Sequence, residues 1–236
     1  MYVIYAHRGA SEYYPENTLS SFYAGVDMGA NGIETDVQKT KDGVLVLFHD
    51  DTVDRVTDGS GDVSDFTYAE LMELTVKNEK YNRTDKIVTF EDFLKYICWR
   101  DLTIAVEIKD EGIAAEVIDM LEKYNMRDKT IITSFIYSEL VAAYEYSKDY
   151  RLGYLYIHTN DESIAQLKAI NAYQACPEAR YLEKEHLEII AKNGFGCRTW
   201  GIFNEEIMRH AADLEVEGGM TVNFPDRLME YLASKE

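Results

Sequence analysis

Cysteine is scarce in this 236-residue chain, and its few cysteines form no recognisable pattern. The three of them, Cys98, Cys176 and Cys197, are odd in number and widely spaced. A disulfide framework needs an even set, and a cysteine-type zinc site needs short spacings such as Cys-x-x-Cys. We therefore expect buried, reduced thiols in a reducing compartment, which argues against the secreted disulfide-rich class.

Long hydrophobic runs are also missing. Apolar segments such as Val44–Phe48 fall far short of the roughly 20 residues that a membrane-spanning helix needs. His7 and Arg8 interrupt the N-terminal segment, so it has no apolar region of the signal-peptide type. The sequence therefore predicts a cytoplasmic protein with no stable membrane insertion.

Positive charge is in short supply, with 24 basic against 43 acidic residues and a net charge of -19. Such a surface repels phosphate backbones, so no nucleic-acid partner is expected. An anionic small molecule would need a metal or a few well-placed cations to reverse the sign locally. The sequence also has no Gly-rich phosphate loop, no Gly-x-Ser-x-Gly turn and no suitably spaced Cys–His pair, which disfavours a serine or cysteine hydrolase.

What is present is a regular alternation of short β-rich runs and longer helical patterns. The predicted strands are Tyr2–Ala6, Gly32–Gln38, Leu102–Ile108, Thr130–Ser134, Arg151–Tyr156, Asn171–Cys176, Gly196–Trp200 and Gly219–Val222. The predicted helices are Thr18–Met28, Phe90–Trp99, Gly112–Tyr124, Tyr137–Ser147, Asp161–Ala169, Glu183–Lys192, Glu205–Leu214 and Asp226–Ala233. Eight strand–helix units in a chain of this length predict an α/β fold, a (β/α)8 TIM barrel.

One strand signal is left over. Val44–Phe48 follows hairpin-type turn chemistry at Lys41-Asp42-Gly43, so we expect it to pair antiparallel with the second strand and to return His49 to the rim. The polar stretch 50–86, with one short helix candidate at Tyr68–Leu74, is expected to be a small insertion after the second strand. We therefore predict a single barrel domain over residues 1–236.

Ionisable side chains gather at the ends of three successive predicted strands, where TIM-barrel active sites form. These side chains are His7, Arg8, Glu34, Asp36, Glu107 and Lys109. Residues two apart on a strand point to the same side, so the three carboxylates should converge in one barrel mouth. Carboxylate oxygens suit a divalent cation such as Mg²⁺ or Ca²⁺, and we predict that Glu34, Asp36 and Glu107 bind one.

Other polar and aromatic residues at the same rim suit an acid–base reaction on a phosphate ester. His7 and His49 are predicted to transfer protons. The planar fork of Arg8 matches a phosphate or a carboxylate, and Lys109 is either a counter-charge of the metal site or a substrate contact. Trp200, at the end of the seventh strand, is either a pocket wall or a core residue. The three remaining histidines are assigned no role in the reaction: His158, His186 and His210.

The motifs now assembled resemble one enzyme family. HRGASEYYPENTLSSF, GIETDVQKTKDGVLVLFHDDTVDRVTDGSG, VEIK and TVNFPD occur in the order seen in glycerophosphodiester phosphodiesterases. The resemblance is strongest over residues 7–62. It implies a barrel with an insertion after the second strand, and hydrolysis of glycerophosphodiesters to glycerol 3-phosphate and an alcohol. It also implies that the substrate's own glycerol hydroxyl is the nucleophile, which would give a transient cyclic phosphate.

The resemblance carries the family's roles onto particular positions. The catalytic histidines match His7 and His49, and the metal carboxylates match Glu34, Asp36 and Glu107. The phosphate contacts match Arg8 and Lys109, and the aromatic pocket position matches Trp200. The partner implied is a small glycerophosphodiester, and the sequence leaves a homo-oligomer open. Because no secretory leader is seen, the chain resembles the intracellular members.

One departure and two rival functions remain. Where the family has Trp-Thr-Val-Asn, this chain has Trp-Gly-Ile-Phe-Asn at residues 200–204, so the head-group pocket is expected to differ. A lysophospholipase D-like or sphingomyelinase D-like activity would need an apolar slot for an acyl chain, and the insertion is mostly polar. A non-catalytic phosphoester-binding protein is disfavoured because every expected catalytic position carries a competent residue.

Overall fold

The protein folds into a parallel barrel with helices around it, as seen in a computed structural model that describes residues 2–235. The strands are β1 Ile4–His7, β2 Gly32–Lys39, β3 Leu45–Leu47, β4 Val76–Asn78, β5 Arg83–Asp85, β6 Thr103–Ile108, β7 Thr130–Ser134, β8 Arg151–Tyr156, β9 Gln174–Pro177, β10 Gly196–Cys197, β11 Thr199–Ile202 and β12 Met220–Val222. The helices are α1 Leu19–Asp27, α2 Tyr68–Glu73, α3 Phe90–Ile97, α4 Ala114–Lys123, α5 Tyr137–Tyr146, α6 Asp161–Ala169, α7 Lys184–Lys192, α8 Glu205–Asp213 and α9 Pro225–Ala233.

The barrel is closed by a strand that breaks in the middle. Neighbours in the sheet run β10-β9-β8-β7-β6-β2-β1-β12-β11, all parallel. β10 pairs with β9 and β11 pairs with β12, and Arg198 separates the two halves. A parallel bridge between Glu178 and Trp200 joins the β9 side to β11. The eight-fold barrel predicted from the sequence is thereby confirmed.

The ninth strand lies where the hairpin signal places it. β2 continues past the barrel to Lys39, and β3 pairs antiparallel with it, with Val37 opposite Leu47. The turn uses Gly43 at a φ of 84°, a left-handed conformation that glycine adopts without steric cost. The chain then returns to the rim at His49.

The insertion has more apolar packing than its composition suggests. Besides α2 it holds the β4–β5 hairpin, which the sequence analysis did not predict. Two strands of three residues give too little alternation to be recognised in a sequence. Its buried apolar side chains form one cluster with Val46, Phe48 and Ile87 outside it, and they are Val53, Val56, Val63, Leu71 and Val76.

The first helix and the inside of the barrel position the site. Thr18 caps α1, since its hydroxyl accepts a hydrogen bond from the Ser21 backbone N–H, and the helix buries Phe22 against the barrel. Inside the barrel, Tyr5 and Arg198 are among the largest side chains that are fully buried. Within residues 2–235, none of the helices has both the length and the apolar content to cross a membrane.

Candidate active site

Neighbouring strands bring the predicted ionisable residues to one end of the barrel. His7 on β1 lies beside Glu34 on β2, and Asp36 on β2 lies beside Glu107 on β6. His7 ends β1 and Glu107 is one residue before the end of β6, and the register sets Glu34 and Asp36 of the longer β2 level with them. The parallel register therefore brings together two pairs of residues that are far apart in the sequence.

Three carboxylates meet there. One oxygen each from Glu34, Asp36 and Glu107 lies within 4.8 Å of the others, and all three residues are buried. Burial, and then the charge of Asp36, raise the pKa of both Glu34 and Glu107. Burial also favours the neutral form of Asp36, but the Arg8 guanidinium beside it holds its pKa below the ordinary value. The cluster therefore has the mutual repulsion that a bound cation would relieve.

One carboxylate oxygen of this cluster lacks a hydrogen-bond partner in the described part of the chain, and Lys109 Nζ is 4.0 Å away from it. Asp36 Oδ2 accepts a hydrogen bond from Asn17 Nδ2 at 2.9 Å and lies 3.1 Å from Arg8 Nε. Asp36 Oδ1 is buried and has no hydrogen-bond partner among residues 2–235. A buried oxygen without a partner is costly unless a ligand satisfies it. The donor set and this orphaned oxygen fit a hard divalent cation.

Two basic residues flank the carboxylates. Arg8 adopts a left-handed backbone conformation with a φ of 54°, and its backbone N–H donates to the Glu34 carbonyl oxygen at 2.9 Å. Its guanidinium also donates to Glu16 Oε1 at 2.9 Å. Lys109 Nζ donates to Glu107 Oε1 at 2.9 Å. A non-glycine residue in this backbone conformation stores strain, as is common where function demands a fixed geometry.

His7 is held by an amide from the last barrel strand's loop. Its Nδ1 lies 2.5 Å from Asn223 Oδ1, and since a carbonyl oxygen only accepts, Nδ1 carries the proton. Nε2 is then left as an acceptor, 3.8 Å from Glu34 Oε2. Burial and the neighbouring Arg8 lower the pKa of His7 to about 3. The ring is therefore neutral with its basic nitrogen towards the carboxylates.

His49 is held by a carboxylate instead. Its Nδ1 lies 2.6 Å from Asp50 Oδ1, and Arg55 Nε donates to Asp50 Oδ2 at 2.5 Å. Burial would raise the pKa of Asp50, but the hydrogen bonds from Arg55 and His49 lower it to about 2. Arg55 also donates to both oxygens of Glu16, which in turn accepts from Arg8. One continuous polar network thus joins the second histidine to the arginine that contacts Asp36.

A pocket of about 250 Å³ opens over these groups. Trp200 lines it, and the indole Nε1 donates to the backbone oxygen of Cys176 at 3.0 Å. Its ring meets Phe135 edge-on with centroids 4.8 Å apart. The structure therefore places Trp200 in the pocket wall, where it is half-buried and stands outside the apolar core clusters of residues 2–235. Phe135 and Phe203 are 41% and 61% exposed at the mouth.

At residues 200–204, where the sequence differs from the family's Trp-Thr-Val-Asn, the strand is locally irregular. The pairing of β11 with β12 shifts register between Thr199 and Ile202. Gly201 within this irregularity has a φ of 78°, and a Cβ there would lie 2.9 Å from Cγ of Glu178. Only glycine fits this position without strain.

Several residues of the site were given no role by the sequence analysis. Asp50, Arg55 and Asn223 stand inside quoted motifs, but hydrogen bonding between side chains so far apart leaves no periodic signal in the sequence. Arg198 could have been found from the sequence. It is two residues before Trp200 on a predicted strand, so the two side chains share a face. Its side chain lines the same pocket.

The other histidines have local contacts. His186 accepts from the Glu183 backbone N–H at the start of α7, and His210 Nε2 lies 2.9 Å from the Leu182 carbonyl oxygen. His158 is exposed and packs against the Tyr181 ring, with centroids 4.4 Å apart. None of the three lines the pocket.

Known proteins are similar to this sequence along nearly its whole length. A family model described as the glycerophosphoryl diester phosphodiesterase family matches residues 7–227. A glycerophosphodiester phosphodiesterase of Caldanaerobacter subterraneus subsp. tengcongensis is 33% identical, over 93% of this chain and 93% of its own length. A glycerophosphodiester phosphodiesterase of Bacillus subtilis is 31% identical, over 94% of this chain and 83% of its own length.

Solved structures share the fold. An Oleispira antarctica phosphodiesterase in complex with the product sn-glycerol-3-phosphate has a TM-score of 0.86 at 23% identity, covering 98% of this chain and 96% of that one. A glycerophosphodiester phosphodiesterase from Agrobacterium tumefaciens has a TM-score of 0.83 at 21% identity, covering 98% and 100%. The family match over residues 7–227 and the identity to the Caldanaerobacter enzyme decide the question of membership. The chain belongs to the glycerophosphoryl diester phosphodiesterase family and is a phosphoric diester hydrolase.

Proposed function

We propose that this protein hydrolyses glycerophosphodiesters to glycerol 3-phosphate and an alcohol in a reaction that depends on a divalent cation and two histidines. The observation that carries the proposal is the meeting of three buried carboxylates with two differently held histidines around one pocket. Family membership supports the reaction class, and the product bound to the Oleispira enzyme supports the substrate class.

Glu34, Asp36 and Glu107 would hold the cation, Mg²⁺ or Ca²⁺. The orphaned Asp36 Oδ1 is the atom that most needs such a ligand. A bound divalent ion supplies Lewis-acid stabilisation of phosphate charge and lowers the pKa of a coordinated hydroxyl. The protein's part is to hold the three carboxylates together, which it does with Asn17 and Arg8 on Asp36 and with Lys109 on Glu107.

Arg8 and Lys109 would contact the non-bridging oxygens of the phosphodiester. Both cations lie beside the carboxylate cluster, so an anion drawn to the pocket meets them there. Ion pairs with Asp36 and Glu107 hold the two cations in place before the substrate arrives, and cations held in place in this way stabilise the charge that develops in a transition state. Trp200 would form the wall of the alcohol side of the pocket.

The two histidines divide the proton transfers. We assign His7 as the base, because the neutral Asn223 amide fixes its Nδ1 proton and leaves Nε2 free to accept one. We assign His49 as the acid, because the Asp50 carboxylate accepts from its Nδ1 and so fixes the ring with Nε2 as the nitrogen that can deliver a proton. His7 takes the proton of the nucleophilic hydroxyl, the new P–O bond forms, the bond to the alcohol breaks, and His49 protonates the departing oxygen.

The family's nucleophile is the substrate's glycerol hydroxyl, so hydrolysis would proceed in two steps. In the second step water opens the cyclic phosphate, and the proton transfers run in reverse: His49 accepts the proton of water and His7 returns one to the glycerol oxygen. The enzyme is then back in its starting protonation state.

Substitution of each histidine tests the assignment. His7→Ala and His49→Ala should each lower kcat by about 10²-fold or more, since acid–base catalysis contributes about 10²- to 10⁴-fold. His158→Ala, which removes an exposed histidine outside the pocket, is the matched control and should keep full activity. Unchanged kcat in His49→Ala would refute the role of that residue.

Substrates with different leaving alcohols distinguish the histidine that acts as the acid from the one that acts as the base. A glycerophosphodiester with an acidic alcohol such as nitrophenol needs no proton from the enzyme on departure. When release of the alcohol in the first turnover is measured, His49→Ala should therefore lose far less activity on this substrate than on one with an alkyl alcohol, while His7→Ala should lose equally on both. The opposite pattern would reverse the two roles.

A further inference from the structure

A buried arginine at the floor of the active-site pocket has no part in the reaction described so far. Arg198 is 1% exposed and lines the same pocket as His7 and Glu34. It leaves the barrel wall at the break between β10 and β11, and its guanidinium lies over the Tyr5 ring at 5.0 Å from the centroid.

The neighbours of Arg198 satisfy some of its hydrogen bonds but not its charge. Its Nη1 donates to the Thr221 hydroxyl at 2.5 Å, and its Nη2 lies 3.8 Å from Cys176 Sγ. Its Nε is buried without a hydrogen-bond partner in the described chain. Both of the groups that it contacts are neutral. The Glu34 carboxylate attracts its charge only from beyond ion-pair distance, and burial of a guanidinium without a direct ion pair is unfavourable.

The other cations of the site contrast with it. Arg8 lies within 3.1 Å of Asp36 and 2.9 Å of Glu16, and Lys109 within 2.9 Å of Glu107, so carboxylates already offset their charges. For Arg198, no carboxylate oxygen lies within 4.0 Å anywhere in residues 2–235. Among the lining residues of this pocket, it is the arginine without a direct carboxylate contact, and the proposed function assigns Glu34, which attracts it from further away, to the cation.

We propose that Arg198 is an additional phosphate-binding residue, whose guanidinium binds a phosphoryl oxygen of the glycerol 3-phosphate half of the substrate and of the product. The position favours this half, because Arg198 is at the buried floor whereas the mouth is lined by the exposed Phe135 and Phe203. The charge favours the phosphoryl group over a glycerol hydroxyl, because a guanidinium gains most from an anionic oxygen. The identity of the substrate in this inference rests on the proposed function. The binding of a phosphoryl group by Arg198 does not.

Arg198→Met tests the inference, since methionine fills similar space without a charge. We expect KM for the diester, and the inhibition constants of glycerol 3-phosphate and of inorganic phosphate, to rise about tenfold or more. Inhibition by glycerol alone should not change. Arg198→Lys, which keeps the charge but not the fork of donors, should fall between the parent and Arg198→Met.

A purely structural role predicts a different result. Replacing an unpaired buried charge by an apolar side chain of similar size should leave the melting temperature of Arg198→Met unchanged or raise it. A lower melting temperature with unchanged phosphate inhibition in both variants would overturn the proposal. Weakened inhibition by glycerol with unchanged inhibition by phosphate would also overturn it. Arg209→Met, at an exposed ion pair with Glu205, is the control for loss of an arginine.

Calorimetric titration with inorganic phosphate separates this inference from the proposed function. Phosphate binding to the parent protein in the presence of Mg²⁺, lost in Arg198→Met, supports the site even if no glycerophosphodiester is cleaved. Cleavage by the parent protein with equal phosphate affinity in both proteins refutes the site and leaves the proposed function intact.

Discussion

The contact between His49 and Asp50 allows a sharp test, because replacing Asp50 by asparagine changes charge and hydrogen bonding but hardly changes shape. Both carboxylate oxygens accept. Oδ1 accepts from His49 Nδ1 at 2.6 Å and from Arg55 Nη2 at 3.0 Å, and Oδ2 accepts from Arg55 Nε at 2.5 Å. In either orientation, the amide NH₂ of asparagine faces one of these donors. If it faces His49, the ring must turn or move its proton to the other nitrogen.

The size of the effect follows from this geometry. A hydrogen bond to a charged group contributes about 1.5–3 kcal/mol. The Asp50 side chain is 25% exposed, so solvent screens part of its charge. Since about 1.4 kcal/mol corresponds to a factor of ten, Asp50→Asn should lower kcat by about 10- to 100-fold, with little change in KM.

Steady-state kinetics on an alkyl glycerophosphodiester, with saturating metal, measures this loss. Asp51→Asn is the matched control, because Asp51 is the next acidic residue and is exposed. For first-turnover release of nitrophenol from a nitrophenyl diester, the loss in Asp50→Asn should largely disappear, because the leaving alcohol no longer needs a proton from His49. A kcat within twofold of the parent on the alkyl diester, or an equal loss in Asp51→Asn, would refute the reasoning.

Three further predictions follow from the site. Because the pKa of Asp50 is lowered to about 2, the contribution of Arg55 to the free energy of unfolding is complete above about pH 4 and is lost as pH falls through about 2. The difference between parent and Arg55→Gln in urea unfolding should shrink over that range, and a constant difference would contradict the pairing. Gly43 has a φ of 84° and open space where a Cβ would be, so Gly43→Ala should lower the free energy of unfolding by about 1–2 kcal/mol. In Gly201→Ala the new methyl group would also lie 2.9 Å from Cγ of Glu178, so this variant should lose more free energy of unfolding than Gly43→Ala. Equal losses in the two variants would contradict the account. Mg²⁺ at about 100 times its Kd should raise the parent's stability by about 2.7 kcal/mol. Glu107→Gln should lose most of this gain in a thermal melt, and an undiminished gain would exclude Glu107 as a ligand.

Much of the fold could be predicted because local signals and barrel geometry agree. Strand–helix alternation predicted the eight barrel positions, and Lys41-Asp42-Gly43 predicted the antiparallel β3. The boundaries moved by a few residues where capping decided them. The sixth strand begins at Gln174 rather than Asn171, because Asn171 takes a left-handed conformation with a φ of 47° at the end of α6.

Contacts between distant side chains could not be predicted in the same way. The rule that active sites lie at strand ends selects His7, Glu34 and Glu107, because it depends only on position within a strand. The pairing of Asp50 with Arg55 and of His7 with Asn223 depends on loop conformations that the sequence pattern does not specify. The hairpin β4–β5 was missed for the related reason that each strand has only three residues.

Release of glycerol 3-phosphate tests the central claim most directly. The parent protein and Glu34→Gln would be incubated with a glycerophosphodiester in the presence of Mg²⁺, of Ca²⁺ and of excess chelator, with product measured over time. We predict metal-dependent release by the parent, none with chelator, and a loss of at least about 10²-fold in Glu34→Gln. Release by the parent that is equally fast in chelator, or no release by folded, metal-loaded protein, would contradict the account.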